Sequence, residues 1–356
     1  MNERVTRLRA ILADTHLDAF LVTQPENRRY LSGFSGSAGV LIITPEEALL
    51  ATDFRYYEQV RQQAPDFTLV EVTDKTPPVL AERLAALGAR RVGMESQDLT
   101  VDIYSQWQEA MPNIEWVPLT GVVEGLREVK DADELATIEE AVRIADRAME
   151  HIYDWIRPGV TEQEVAWELE VHMRTHGAER LSFNTIVAAG PRGAMSHAVP
   201  TERPIGRGEP IVIDMGALYD GYCSDLTRSF CIGEATDEYL RIWDTVLRAQ
   251  RTAEEGIRGG MIGSEADALA RDLIYGEGFE GKFGHGLGHG VGLAIHEGPR
   301  AARTATGALR PGAIVTVEPG IYDPAWGGIR IEDMVVITED GCRVLTGVAR
   351  RPVVGK

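Results

Sequence analysis

The second half of the chain gathers acids and histidines into a few short apolar or glycine-rich stretches. Ile211-Val-Ile-Asp-Met-Gly216 sets Asp214 inside an apolar run, and Asp220-Gly221 supplies a hairpin turn before Tyr222-Cys-Ser-Asp-Leu-Thr-Arg-Ser-Phe230. With a two-residue turn, Asp214 faces Thr227 and Gly216 faces Asp225, which puts both carboxylates diagonally on one sheet face with room beside Gly216. Two like charges there are costly unless a cation or a proton is shared. A solvent-facing strand with two unrelated acids is the bland alternative.

Gly284-His-Gly-Leu-Gly-His-Gly-Val-Gly-Leu-Ala-Ile-His-Glu297 packs three histidines among glycines. His285 and His289 are four apart, as in H-E-x-x-H, but Gly286 fills the Glu position and the alternating glycines exclude a helix. An extended segment is expected, letting the backbone approach a ligand while imidazoles point at it. Ala313-Ile-Val-Thr-Val-Glu-Pro-Gly320 reads as a buried strand ending on Glu318. Gly328-Ile-Arg-Ile-Glu-Asp-Met-Val-Val-Ile337 reads as another, with Arg330 beside Glu332 on one face and placed to neutralise it. Asp214, Asp225, His289, Glu318 and Glu332 are thus five ligand-type residues where unpaired charge is unfavourable.

The elements that must position them follow from periodicity. The chain has 356 residues, a net charge of -19 and 44% hydrophobic residues, enough for about two packed domains. This charge repels phosphate backbones and anionic lipid, so nucleic acid and membrane surfaces are poor partners. No apolar run of membrane length occurs, the N-terminal stretch carries Arg4, Arg7, Arg9, Asp14 and Asp18 rather than a signal sequence, and three unspaced cysteines suit free thiols in the cytoplasm. Residues 1–125 alternate helical and extended patterns, an α/β unit. Its Gly33, Gly36 and Gly39 miss the G-x-G-x-x-G spacing, and a strand follows them, which argues against a nucleotide loop. The charged stretch 127–134 marks the domain boundary. Beyond it, Leu135, Ile138, Val142, Ala145 and Met149 line one helix, and Thr161 with Glu164 forms a capping box that opens the next. His172 and His176 on that helix lack a third ligand nearby and read as polar surface histidines, while Trp107 and Trp116 read as packing residues.

The order D-x-G, S-D-x-T-R, G-H-G-x-G-H-x-x-G-L-x-x-H-E, V-E-P-G-x-Y and R-x-E-D, across 185–340, resembles the "pita-bread" metallopeptidases, which include methionine aminopeptidase, aminopeptidase P and prolidase. The resemblance implies an α+β protein: an N-terminal α/β creatinase-like domain over 1–125, and a catalytic domain over 126–356 built on a curved antiparallel sheet flanked by helices. It implies that Asp214, Asp225, His289, Glu318 and Glu332 hold two divalent cations, with Asp225 and Glu332 bridging them. The oxygen-rich set suits Mn²⁺ or Co²⁺ better than Zn²⁺. Two cations about 3.5–4 Å apart can activate a bridging hydroxide for attack on the scissile carbonyl. Glu318 would relay the proton, His197 and His296 would steady the oxyanion and the residue after the cut, His285 lies among the substrate histidines, and Arg330 would hold Glu332. The N-terminal domain separates the chain from methionine aminopeptidases, and the filled ligand set separates it from creatinase and from non-catalytic binding modules. An Xaa-Pro aminopeptidase acting on proline-containing peptides is expected first, with an Xaa-Pro dipeptidase as the alternative. In the latter, Arg300 is the candidate anchor for a free carboxylate. A homodimer, with the N-terminal domain at the rim of a neighbour's pocket, is implied by resemblance.

Overall fold

The computed structural model describes residues 2–355 and divides into two compact units that part between Arg127 and Glu128. In the first, six strands, β1 (Ala19–Val22), β2 (Val40–Ile43), β3 (Ala48–Asp53), β4 (Thr68–Val72), β5 (Arg91–Glu95) and β6 (Glu115–Leu119), form one sheet in the order β4-β3-β2-β1-β5-β6. β5 runs parallel to β1 and β6, whereas β2 is antiparallel to its neighbours, the mixed pattern of an α/β unit with one hairpin insertion. Helix α1 (Glu3–Asp14) buries Val5, Leu8 and Leu12. In α4 (Thr76–Ala86) the buried face is Leu80 and Leu84, as a 3.6-residue period requires. Gly33 closes helix α2 (Pro25–Ser32) in a left-handed conformation, so that glycine is a helix stop rather than part of a phosphate cradle. Trp107 and Trp116 pack together with ring centroids 5.5 Å apart.

The second unit begins with α7 (Ala132–Trp155) and α8 (Glu162–Thr175), each opened by a capping box, from Asp131 with Glu134 and from Thr161 with Glu164. The intervening helices of the first unit are α3 (Tyr57–Gln63), α5 (Val101–Ala110) and α6 (Val122–Arg127). Strands β7 (Arg180–Leu181), β8 (Ile186–Ala189), β9 (Pro210–Met215), β10 (Ala217–Tyr219), β11 (Tyr222–Cys223) and β12 (Leu226–Ile232) follow, then α9 (Asp237–Gly256) and α10 (Gly263–Gly276). The chain ends with β13 (Gly288–Gly290), β14 (Glu297–Ala301), β15 (Ile314–Val317), β16 (Gly320–Asp323), β17 (Gly327–Arg330), β18 (Asp333–Ile337), β19 (Cys342–Val344) and β20 (Val353–Val354). α7 and α8 bury Ile144, Met149, Leu169 and Met173 against Val187, Ile211, Ile213 and Phe230 of the β20-β12-β9-β8 sheet. α9 and α10 bury Ile242, Val246 and Ile274 against Val315, Val317 and Val335 of the β14-β13-β15-β18-β19 sheet. The unit is therefore two helix-backed, largely antiparallel half-sheets, each with its own core. His172 and His176 stack with centroids 4.0 Å apart and His151 of α7 stacks on His172 at 4.5 Å. Near-parallel ring planes keep their in-plane lone pairs from converging, so the trio is a packing feature.

Candidate metal centre

The first two acids stand on one hairpin. Asp220 and Gly221 both take positive φ, 42° and 75°, as a two-residue type I′ turn requires. The resulting register pairs Asp214 of β9 with Thr227 of β12, the pairing expected from the turn. Gly216 serves another purpose than the expected one. A Cβ there would lie 2.0 Å from the Ser224 carbonyl oxygen, so glycine admits the neighbouring backbone and leaves no room for a ligand.

The expected strand over 328–337 divides at Ile331-Glu332. β17 pairs with β16 in a two-stranded ribbon, whereas β18 pairs with β15 in the second half-sheet. Glu332 occupies the break between them. Its backbone N–H donates to the Thr227 carbonyl at 3.1 Å, and the Thr227 hydroxyl donates to Glu332 Oε2 at 2.6 Å. Arg330 does not hold Glu332 directly. Its Nη2 donates to Asp214 Oδ2 at 2.5 Å, its Nε to Thr227 Oγ1 at 3.0 Å and its Nη1 to the Tyr322 hydroxyl at 2.9 Å. The β16–β17 ribbon turns the guanidinium toward β9, so Thr227 is the intermediary between Arg330 and Glu332.

Of the glycine-rich segment expected to be extended, only Gly288–Gly290 forms a strand, β13, and residues 291–296 bend back so that Gly290 pairs with Glu297 of β14. The segment's glycines answer to neighbouring strands more than to a ligand: a Cβ on Gly288 would meet the Thr316 carbonyl oxygen at 1.9 Å. The loop before it is pinned from α10. Asp267 and Arg271 form a buried two-contact ion pair, Arg271 donates to the carbonyls of Phe283 and His285 at 2.7 and 2.6 Å, and Asp267 accepts from the Leu287 N–H at 2.9 Å. His289 donates its backbone N–H to Thr316 Oγ1 at 3.1 Å, and its Nδ1 lies 3.1 Å from the Gly290 carbonyl. With Nδ1 carrying the proton, Nε2 keeps a free lone pair. That nitrogen is 3.5 Å from both Asp225 Oδ2 and Glu318 Oε1.

One cavity of about 620 Å³ is lined by Asp214, Asp225, His289, Glu318, Glu332, His197, His285, His296, Arg330 and Arg300. Ligand atoms of Asp225, His289 and Glu332 lie within 4.8 Å of one another, a spacing that can hold one ion. Asp214 and Glu318 line the same cavity outside that trio. His285 Nε2 is 2.8 Å from the Tyr322 hydroxyl, and the His296 ring meets His289 edge to face at 4.3 Å. Thr227, Thr316 and Tyr322, which fix the candidate ligands or their partners, carry no charge and had no assigned part in the sequence reading. Thr227 and Tyr322 are signalled there only as members of the S-D-x-T-R and V-E-P-G-x-Y motifs, and Thr316, one residue before the second motif, carries no signal.

Burial, and then the charges of Glu332, Asp214 and Glu318, raise the Asp225 carboxyl well above its ordinary range. Burial and the charges of Glu318 and Asp214 do the same to Glu332, and burial pushes Glu318 up to about 8. Burial lowers His289 to about 4, and burial with the Arg330 charge lowers His285 to about 4. The acids are raised by burial and by one another's negative charge, which a bound cation would offset, and the neutral imidazoles keep a lone pair to offer it. Asp214 Oδ1 is buried with no hydrogen-bond partner, and its side chain borders the cavity. An oxygen left in this way costs about 1–3 kcal/mol unless a ligand completes it, so the donor set fits a divalent cation.

A buried acid–imidazole centre of this kind, carried on paired helix-backed half-sheets, defines a metal-dependent hydrolase. The chain belongs to metallopeptidase family M24, whose profile matches residues 136–339, and the creatinase/prolidase N-terminal domain matches residues 4–129. An uncharacterized peptidase of Bacillus subtilis is 40% identical over 96% of this chain and 97% of its own. The Xaa-Pro dipeptidase of Pyrococcus furiosus is 36% identical over 98% and 99%. Among solved structures, an Xaa-Pro dipeptidase from Bacillus anthracis superposes with a TM-score of 0.96 at 43% identity, covering 99% of both chains. An X-Pro aminopeptidase from Thermotoga maritima superposes at 0.91 and 37% identity, covering 99% and 100%.

Proposed function

We propose that this chain is an Xaa-Pro dipeptidase working with two divalent cations, Mn²⁺ foremost, with Co²⁺ and Zn²⁺ as alternatives. This reverses the preference of the sequence reading, which put the aminopeptidase first. The observation that carries it is Arg300: it is exposed at the cavity, makes no ion pair among the described residues, and its charge is felt at both His289 and His296. An unpaired guanidinium beside the imidazoles is suited to the free carboxylate of a C-terminal proline, which only a dipeptide presents next to the scissile bond. The names of the Pyrococcus and Bacillus anthracis relatives support the same choice.

Asp214, Asp225, His289, Glu318 and Glu332 would hold the cations. Bound divalent cations supply Lewis-acid activation of water and of the scissile carbonyl. The protein does the rest. Arg330 fixes Asp214 and, through Thr227, the far oxygen of Glu332. His296, kept neutral first by burial and then by Arg300, can donate an N–H toward developing oxyanion charge, with His197 beside the proline ring. The leaving proline nitrogen must gain a proton as the tertiary amide breaks. Glu318, whose one side-chain hydrogen bond comes from Thr316 at 3.1 Å, is free to carry it, and its Oε2 lies 4.0 Å from His285 Nδ1. The N-terminal unit as a dimer element and a cytoplasmic site, suited to the three free thiols, complete the proposal.

The test is kcat/KM on Xaa-Pro against Xaa-Pro-Yaa peptides. A preference of about tenfold or more for the dipeptide is expected, the order of one charge-assisted contact. Preference for the longer peptides would return the aminopeptidase.

A further inference from the structure

Asp225 and Glu332 reach their common position from different half-sheets, Asp225 from the start of β12 and Glu332 from the corner between β17 and β18. Something must hold those backbones at one separation. We infer that Arg228, a residue absent from the cavity lining, is the positioning residue that sets the spacing of Asp225 and Glu332 and thereby the affinity of the metal centre. This inference rests on the proposed ligand set and not on the substrate.

Arg228 is 2% exposed. Its Nη1 donates to the Glu332 carbonyl at 2.6 Å and to the Thr227 carbonyl at 3.0 Å, and its Nη2 donates to Asp333 Oδ1 at 2.7 Å and to the Val348 carbonyl at 2.8 Å. One planar group therefore ties β12, the Glu332 corner and the segment before β20 into a fixed triangle. Because it grips the backbone of Glu332 rather than its carboxylate, it leaves both carboxylate oxygens free for Thr227 and a cation. The Asp333 charge is shared with a second arginine: Arg350 donates to Asp333 Oδ2, and Arg350 Nη2 also pairs with Glu254. Gln250 donates to the same Asp333 oxygen at 2.9 Å. Arg350 thus touches the same acid as Arg228 but neither the Glu332 nor the Thr227 carbonyl. The two arginines separate positioning from charge balance. A lysine at 228 keeps the positive charge but has no planar fork to reach four acceptors in three segments.

The test is Mn²⁺ binding to the chelator-stripped full chain by calorimetry, read beside the melting temperature, for Arg228→Lys, Arg350→Lys and the double variant Arg228→Met/Asp333→Asn. The double variant removes both charges of the pair, so no lone buried ion remains if the single change fails to fold. Expected is a loss of Mn²⁺ affinity of about 10–100-fold for Arg228→Lys and for the double variant, the scale of outer-shell substitutions, with Arg350→Lys within about threefold of the parent. The inference is overturned if a folded Arg228 variant binds Mn²⁺ within threefold of the parent, or if Arg350→Lys loses as much. The proposed function fails by a different sign, the absence of Mn²⁺ binding by the parent protein.

Discussion

Removing the cations should make the protein's stability fall with pH above neutrality, which the loaded protein should not do to the same degree. Glu318 has an ordinary value of 4.5 and is pushed to about 8 in the folded, cation-free chain. Between those values the folded state holds a proton that the unfolded state has released, so the associated stability is present at lower pH and is lost as pH rises through 8. From about pH 7 to 8.5, Glu318 alone should cost about 1 kcal/mol. Asp225 and Glu332, raised for the same reasons, act in the same direction. His285 and His289 fall from 6.5 to about 4, which has the opposite sign, but their unfolded-state titration is nearly complete by pH 7 and offsets only about a few tenths of a kcal/mol. Glu254, raised to about 7 by burial and the Asp333 charge, contributes alike to both forms and cancels in the difference. For a unit of this size the net effect is a fall of about 2–4 °C in melting temperature. Differential scanning calorimetry of stripped and Mn²⁺-loaded protein across that range measures it. A stripped protein whose melting temperature is flat or rising from pH 7 to 8.5, relative to the loaded one, would refute the reasoning.

Thr227→Val keeps the shape but removes the hydroxyl between Glu332 and Arg330, and should weaken Mn²⁺ binding by about 10–100-fold by calorimetry; an unchanged affinity would show that Glu332 orients itself. Arg300→Gln should raise KM for an Xaa-Pro dipeptide by about tenfold or more, with kcat little changed and longer peptides unaffected in steady-state assays. Arg271→Met leaves Asp267 buried without its cation and should cost about 3–5 kcal/mol in denaturant unfolding, with the 283–287 loop losing protection in hydrogen exchange.

Local features were legible wherever one stretch of chain decides them. The Asp220-Gly221 turn fixed the Asp214–Thr227 register, and Thr161 with Glu164 fixed the start of α8. The ligand-type acids and histidines stood out because charge in apolar or glycine-rich runs is unfavourable without a partner. What could not be read is which partner each long side chain takes. Arg330 and Glu332 share a face by strand alternation, yet the sheet change at Ile331-Glu332 sends the guanidinium to Asp214, 116 residues away. The glycines of 284–292 and Gly216 signalled close approach, but whether to a ligand or to another strand depends on pairings the pattern does not contain. Asp267 and Arg271 are an i,i+4 pair on α10, and their hold on the histidine segment depends on the packing of the 283–287 loop, which that spacing does not contain.

The central claim, that paired divalent cations in this cavity drive cleavage before proline, is tested most directly by titrating Mn²⁺ into chelator-stripped protein while following hydrolysis of an Xaa-Pro dipeptide. The account predicts no turnover in the stripped protein and recovery that saturates at two equivalents per chain. Turnover that survives the chelator would contradict it.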